Sequence, residues 1–107
     1  MKCLDDCHTY EMETFGKDQP IESSPVKSII HFYEMKLDGT KIDGVTNEEV
    51  IKVLIHRISY LNEKWQDGKF KCRENSLAIT KLEEALMWLE KRTSDRLARN
   101  VEGTHQK

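Results

Sequence analysis

The spacing of the apolar residues changes at Gly44, and this change constrains the fold more than any other feature of the chain. Thr46 followed by Glu49 has the chemistry of a capping box. The hydroxyl takes one unpaired backbone N–H of a helix start and the carboxylate reaches back to another, while Val45 and Val50 are spaced as a hydrophobic staple. A helix is therefore predicted to begin at Asn47. Val50, Leu54, Ile58, Leu61 and Trp65 recur every three or four residues, and Ile51, Val53 and Ile55 widen the stripe, so this helix is expected to be covered on more than one side. Gln66-Asp67-Gly68 stops it. A second pattern starts at Cys72 or Arg73, with Leu77, Ala78, Leu82, Ala85, Leu86, Leu89 and Thr93 on its inner face and no Gly or Pro before Gly103. From Arg73 to Arg99 it would measure about 40 Å, against roughly 27 Å for Asn47 to Lys64. Helices joined by a short loop pack antiparallel. The longer one must then overhang the shorter, and the overhang carries Arg92, Asp95, Arg96 and Arg99.

Before Gly44 the chain reads as strands. His8 to Phe15 alternates, with Tyr10 and Met12 on one face and Glu11 and Glu13 on the other. Gly16 to Pro25 has the composition of a connection. Val26 to Leu37 is rich in β-branched and aromatic residues and ends at the turn signal Asp38-Gly39, with a further short strand expected over Thr40 to Asp43. The fold class is α+β: a small N-terminal antiparallel β-sheet followed by an antiparallel two-helix hairpin that oligomerises through its helices. We expect one domain over residues 1–107, with a β portion at 8–43, the hairpin at 46–100 and a tail at 101–107.

Composition narrows the function classes. With 107 residues, of which 34% are charged and 37% hydrophobic, burial and ordering entropy nearly cancel for a single small core, so self-association is expected to contribute. No apolar run is long enough to span a membrane. Met1-Lys2-Cys3-Leu4-Asp5-Asp6-Cys7 lacks the apolar region of a secretory signal. An odd set of three cysteines without such a signal fits reduced thiols in a cytoplasm. The net charge of −2 argues against a DNA or RNA strand as partner. Cys3-x3-Cys7-His8 with distant Cys72 lacks the paired knuckles of a zinc site, and His31, His56 and His105 have no carboxylate or thiol at a diagnostic spacing. There is no Gly-rich phosphate loop, nucleophile elbow or His-Glu-x-x-His. No metal, no cofactor and no catalysis are expected.

A few residues could nevertheless bind something. Arg92, Arg96 and Arg99 fall on one helical face, where guanidinium forks suit phosphate oxygens. The commoner use of such a face is a solvated one, here partly neutralised by Glu90 and Asp95, and the cations could also serve the negative end of the helix dipole. Asn75 could cap the second helix or present an amide to a base edge. Trp65 and Phe70 flank the joint, where either ring could stack on a purine or pack into the core. Trp88 lies off the inner stripe and is expected to cover the sheet or a partner chain.

The runs Gly44-Val45-Thr46-Asn47-Glu48-Glu49-Val50, Leu54-Ile55-His56-Arg57, Cys72-Arg73-Glu74-Asn75-Ser76-Leu77 through Trp88-Leu89, Lys91-Arg92-Thr93, Asp95-Arg96 and Val101-Glu102-Gly103-Thr104-His105 together resemble one family. It is that of the phage anti-defence proteins built on a shared helical-hairpin domain, the Thoeris anti-defence and anti-CBASS nucleotide sponges. The resemblance is strongest over residues 44 to 105 and most specific from Cys72 to Leu89. It implies a phage or prophage protein in the host cytoplasm that binds a cyclic nucleotide signal without altering it. In the Thoeris branch the signal is a cyclic ADP-ribose isomer made by a TIR-domain enzyme; in related members it is a CBASS cyclic di- or trinucleotide. A structural or adaptor oligomer is the remaining alternative.

The resemblance also implies a pocket using the joint aromatic Trp65, the amide of Asn75 and the guanidiniums of Arg92 and Arg96. The joint Trp65-Gln66-Asp67-Gly68-Lys69-Phe70-Lys71 is longer than in many relatives, so either Trp65 or Phe70 is the stacking ring. Asn100 stands where relatives carry Gly, a mild change because Asn tolerates a left-handed turn. Asn75 and Arg96 would lie about 30 Å apart on one helix, too far for one small ligand. Antiparallel pairing of two long helices would bring the start of one to the end of the other, giving two equivalent composite pockets per homodimer. By analogy with family members, higher assembly, as far as a hexamer, would create a second nucleotide site near Arg57, Arg99, Thr104 and His105.

Overall fold

The structure, a computed structural model, describes residues 1–15 and 28–99. The expected connection from Gly16 to Pro25, the start of the Val26 strand, and the tail with Asn100, Thr104 and His105 lie outside the described residues. The contacts divide the chain into two compact units that meet in sequence between Thr46 and Asn47. The first unit holds a three-stranded antiparallel sheet of β1 (Lys2–Asp5), β2 (Thr9–Met12) and β3 (Ser28–His31), and a two-stranded one of β4 (Glu34–Met35) and β5 (Lys41–Ile42). The second holds α1 (Asn47–Glu63) and α2 (Arg73–Ala98). A small antiparallel sheet followed by two helices is thus the observed architecture.

Two features of the β unit differ from the pattern in the sequence. Strands begin at Lys2, ahead of His8, because β1 is joined to β2 by backbone pairing, with Lys2 opposite Glu11 and Cys3 opposite Tyr10, while its four side chains stay exposed. The stretch after Val26 is two strands. At Phe32 and Tyr33 the backbone leaves the first sheet: Phe32 donates to the His8 carbonyl at 2.7 Å, Tyr33 to that of Val45 at 2.9 Å, and Val45 to that of His31 at 2.9 Å. Gly44 allows this approach, since a Cβ there would lie 2.5 Å from the Phe32 carbonyl carbon and 2.6 Å from the Tyr33 nitrogen. Nearby, Tyr10 meets Phe32 edge-on, with centroids 5.8 Å apart, and the Thr9 hydroxyl bridges His31 at 2.7 Å and Asp5 at 3.2 Å. The Asp38-Gly39 turn forms as expected between β4 and β5. The Asp38 carboxylate accepts the Thr40 N–H at 2.9 Å, and this bond holds its pKa below the usual carboxylate value.

The helices start at the expected positions, Asn47 and Arg73, and α1 ends at Glu63, ahead of the Gln66-Asp67-Gly68 stop. Most of the expected inner residues are shielded, Val50, Ile58 and Leu61 on α1 and Ala78, Leu82, Leu86, Leu89 and Thr93 on α2 among them. On α1 the more shielded line runs through Ile51, Ile55, Ile58 and Asn62; on α2 it runs through Ala78, Ile79, Leu82, Leu86, Leu89, Thr93 and Arg96. Val53, Leu54, Trp65 and Leu77 are exposed instead. Two helices packed on each other shield one stripe each, and among the described residues no hydrophobic side chain is fully buried.

Polar atoms close the joint between the helices. Asn62, in the last turn of α1, is 3% exposed. Its Oδ1 accepts the Cys72 N–H at 2.9 Å and its Nδ2 donates to the Ser76 hydroxyl at 3.2 Å. Cys72 is the N-cap of α2 and contributes no side-chain cap, so the amide of one helix caps the next. Asn62→Ala is expected to cost about 1–3 kcal/mol, a fall in Tm of about 5–20 °C for a chain of this size. A melt unchanged from wild type would show that this clamp is dispensable.

Candidate functional site

The joint is an aromatic corner on a strained turn. Gln66 (φ 48°), Asp67 (φ 57°) and Gly68 (φ 79°) are successively left-handed. Gly68 takes this conformation at no steric cost and Asp tolerates it, but Gln pays roughly 1–2 kcal/mol. The turn leaves Trp65 and Phe70 41% and 48% exposed, which removes core packing in the single chain as the reason for either ring. Trp65 is tilted against Tyr60 of α1, with centroids 6.1 Å apart. Asn75 does not cap α2. Its Nδ2 donates instead to the Phe70 carbonyl at 3.3 Å, so it fixes the loop that carries the ring.

The far end of α2 carries the cations. Arg92 and Arg99 are exposed, whereas Arg96 is only 7% exposed and continues the shielded line after Leu89 and Thr93. The expectation of three guanidiniums on one exposed face is corrected: a buried Arg96 stands beside an exposed Arg92. Arg99 closes the helix, its N–H reaching the carbonyls of Asp95 at 3.2 Å and Arg96 at 3.1 Å. Lys91 pairs with Asp95 at 2.9 Å, so the acid among these cations is engaged by a lysine.

A third feature was not foreseen as a unit. Glu49, Lys52, Val53, His56, Arg57 and Tyr60 line an open groove of about 690 Å³ along α1. All six come from one helix, so the groove has a floor and lacks a second wall. It gathers an ammonium, an imidazole, a guanidinium and a phenol ring. Of these only Arg57 was named from the sequence as a binding residue, His56 having been set aside as a metal or catalytic candidate, although the three- and four-residue spacing of the set was there to be read.

Within one chain the structure therefore brings Phe70 to Asn75, and Trp65 to Tyr60. It does not bring the joint to Arg92 or Arg96. Arg96 lies twenty-one residues beyond Asn75 on a single helix, about 31 Å. The aromatic and amide groups occupy one end of α2 and the guanidiniums the other. Asn62 was also missed, and its signal was a lone amide on a stripe of isoleucines one turn before a helix stop.

Known proteins place the same segment in a family. Residues 33–94 match the model of the Acb2/Tad1 hairpin domain. The matched range takes in Arg57, Trp65, Phe70, Asn75 and Arg92 and stops short of Arg96 and Arg99. The chain is also 57% identical over 65 residues to Thoeris anti-defense 1 of Bacillus phage SBSphiJ7, a match covering 61% of this chain and 43% of that relative. The chain thus spans less than half the length of the relative it matches.

Proposed function

The chain belongs to the Acb2/Tad1 hairpin-domain family, and from that premise we propose that it is a phage anti-defence sponge. In this reading it binds a cyclic ADP-ribose isomer in the host cytoplasm and withholds it from its receptor without degrading it. The observation that carries the proposal is the division of candidate ligand-binding residues between the two ends of α2, supported by a relative named as a Thoeris anti-defense protein. An adenine stacks on Trp65 or Phe70, its edge meets Asn75, and the pyrophosphate sits on Arg92 with Arg96 behind it. Charged hydrogen bonds to guanidinium forks are among the stronger polar contacts available.

Such a pocket needs two chains, one giving the joint and the other the guanidiniums, so the binding species is at least a homodimer. The exposed Val53, Leu54, Leu77 and Trp88 supply the apolar surface that pairing would cover. The groove on α1 favours a second reading on the same scaffold. Lys52, His56 and Arg57 beside Tyr60 suit a ligand with more phosphates, a cyclic di- or trinucleotide, and Arg99, Thr104 and His105 would complete that site.

A sponge that competes with a receptor needs nanomolar affinity, about −12 kcal/mol. Thermal melting against cyclic ADP-ribose isomers and cyclic oligonucleotides tests the reading. A ligand at 100 times its Kd should stabilise by about 2.7 kcal/mol, or about 10–20 °C in Tm. Melting that none of these nucleotides shifts would leave the structural oligomer as the better account.

A further inference from the structure

We infer that Cys3 and Cys7 are a dithiol couple that closes to an intramolecular disulfide on reaction with a low-molecular-weight disulfide. β1 and β2 are joined by a tight turn in which the His8 N–H reaches the Asp5 carbonyl at 2.8 Å. The pairing shifts between Cys3 and Asp5, and Cys7 takes a left-handed φ of 63°. That position usually holds Gly, Asn or Asp. The cysteine standing there has its sulfur 3.7 Å from that of Cys3, whose thiol donates to it. Both are exposed. Closing from 3.7 Å to the roughly 2.0 Å of a disulfide asks for side-chain rotation with the turn already formed.

The surroundings favour the chemistry. Tyr10 pairs with Cys3 in register, and its hydroxyl pKa is raised above the ordinary value chiefly by a hydrogen bond with Cys7. The phenol therefore keeps its proton beside the two sulfurs. In the exchange the Cys7 thiolate attacks one sulfur of the oxidant RSSR, forming a mixed disulfide and releasing RS⁻. The Cys3 thiolate then attacks the Cys7 sulfur and expels the second RS⁻. The protein loses two electrons and two protons, and the oxidant becomes two thiols. Cys72, the N-cap of α2 in the other unit, serves as the reference thiol.

The test uses the full chain in oxidised glutathione, with intact mass and alkylation as readouts. Of three alkylatable thiols, one, Cys72, should remain. The Cys3–Cys7 pair should lose two hydrogens in mass and carry no glutathione. Cys7→Ser should stop instead at a glutathione adduct on Cys3. A dithiol reagent, phenylarsine oxide, should consume both N-terminal thiols at one equivalent in the reduced wild type. Stable glutathione adducts on Cys3 and Cys7 separately, or chains linked to one another through them, would overturn the inference.

Discussion

Two variants that each fail to capture a cyclic ADP-ribose isomer should recover capture when mixed. The first is a joint variant, Trp65→Ala with Asn75→Ala; the second is Arg92→Ala. Each breaks both composite pockets of its own homodimer, because in each the damaged end of one α2 meets its partner in both pockets. In a mixed dimer one pocket combines both damaged ends, and the other combines both intact ends. After free subunit exchange at equal amounts, half the dimers are mixed, so about a quarter of all pockets are whole. Arg92 is the better probe of the cationic end because it is exposed, whereas Arg96 at 7% exposure bears on folding as well as binding. Titration calorimetry reads the result as a stoichiometry near one quarter of wild type with wild-type affinity. A mixture as inactive as its components would place the whole pocket within one chain.

Trp88→Glu should weaken self-association at least 100-fold and abolish ligand-induced stabilisation while leaving the helices in place. Trp88 is 59% exposed and Leu77 46% exposed in the single chain, and eleven residues, three helical turns, put them on one face of α2. A fully covered aromatic side chain buries about 150–250 Å², of which the 59% still exposed leaves roughly 90–150 Å², or about 2–4 kcal/mol at roughly 25 cal/mol per Å². In a two-fold interface the substitution counts twice. Size-exclusion chromatography with light scattering should show a single chain for Trp88→Glu and an oligomer for Trp88→Phe, with equal helical circular dichroism. Wild-type elution of the glutamate variant would move the interface away from this face.

The helical half of the fold was legible because its signals are local. Thr46 and Glu49 mark a helix start, and Gly68 and the unbroken run from Arg73 mark a stop and a restart; α1 starts at Asn47 and α2 at Arg73 as marked, while α1 ends at Glu63, five residues before Gly68. The β half depends on pairings that leave little trace in side chains. Lys2–Asp5 forms a strand with every side chain exposed, and the change of sheet at Phe32 and Tyr33 follows from backbone bonds to His8 and Val45, which no alternation of residue types encodes. Most apolar positions on the helices were placed on the correct face, but Val53, Leu54, Trp65 and Leu77, at the margins of wide stripes, are exposed in the single chain.

The candidate site divides the same way. Aromatic, amide and guanidinium residues stand out by type and spacing, so Trp65, Phe70, Asn75, Arg92 and Arg96 could be named in advance. Their environments could not. Asn75 is tied to Phe70 rather than capping α2, Arg96 is buried where exposure was expected, and Tyr60 becomes part of the corner only because α1 ends beside Trp65. Asn62 joins the two helices through a hydrogen-bond pattern set by tertiary packing.

The central claim is retention without chemistry, and one measurement meets it directly. A cyclic ADP-ribose isomer is incubated with the chain until free ligand disappears from the filtrate; the protein is then denatured by heat and the supernatant is chromatographed. The account predicts that the ligand peak returns in full, at its original retention time and mass. Loss of that peak to a linear or hydrolysed product would make the protein an enzyme and contradict the account.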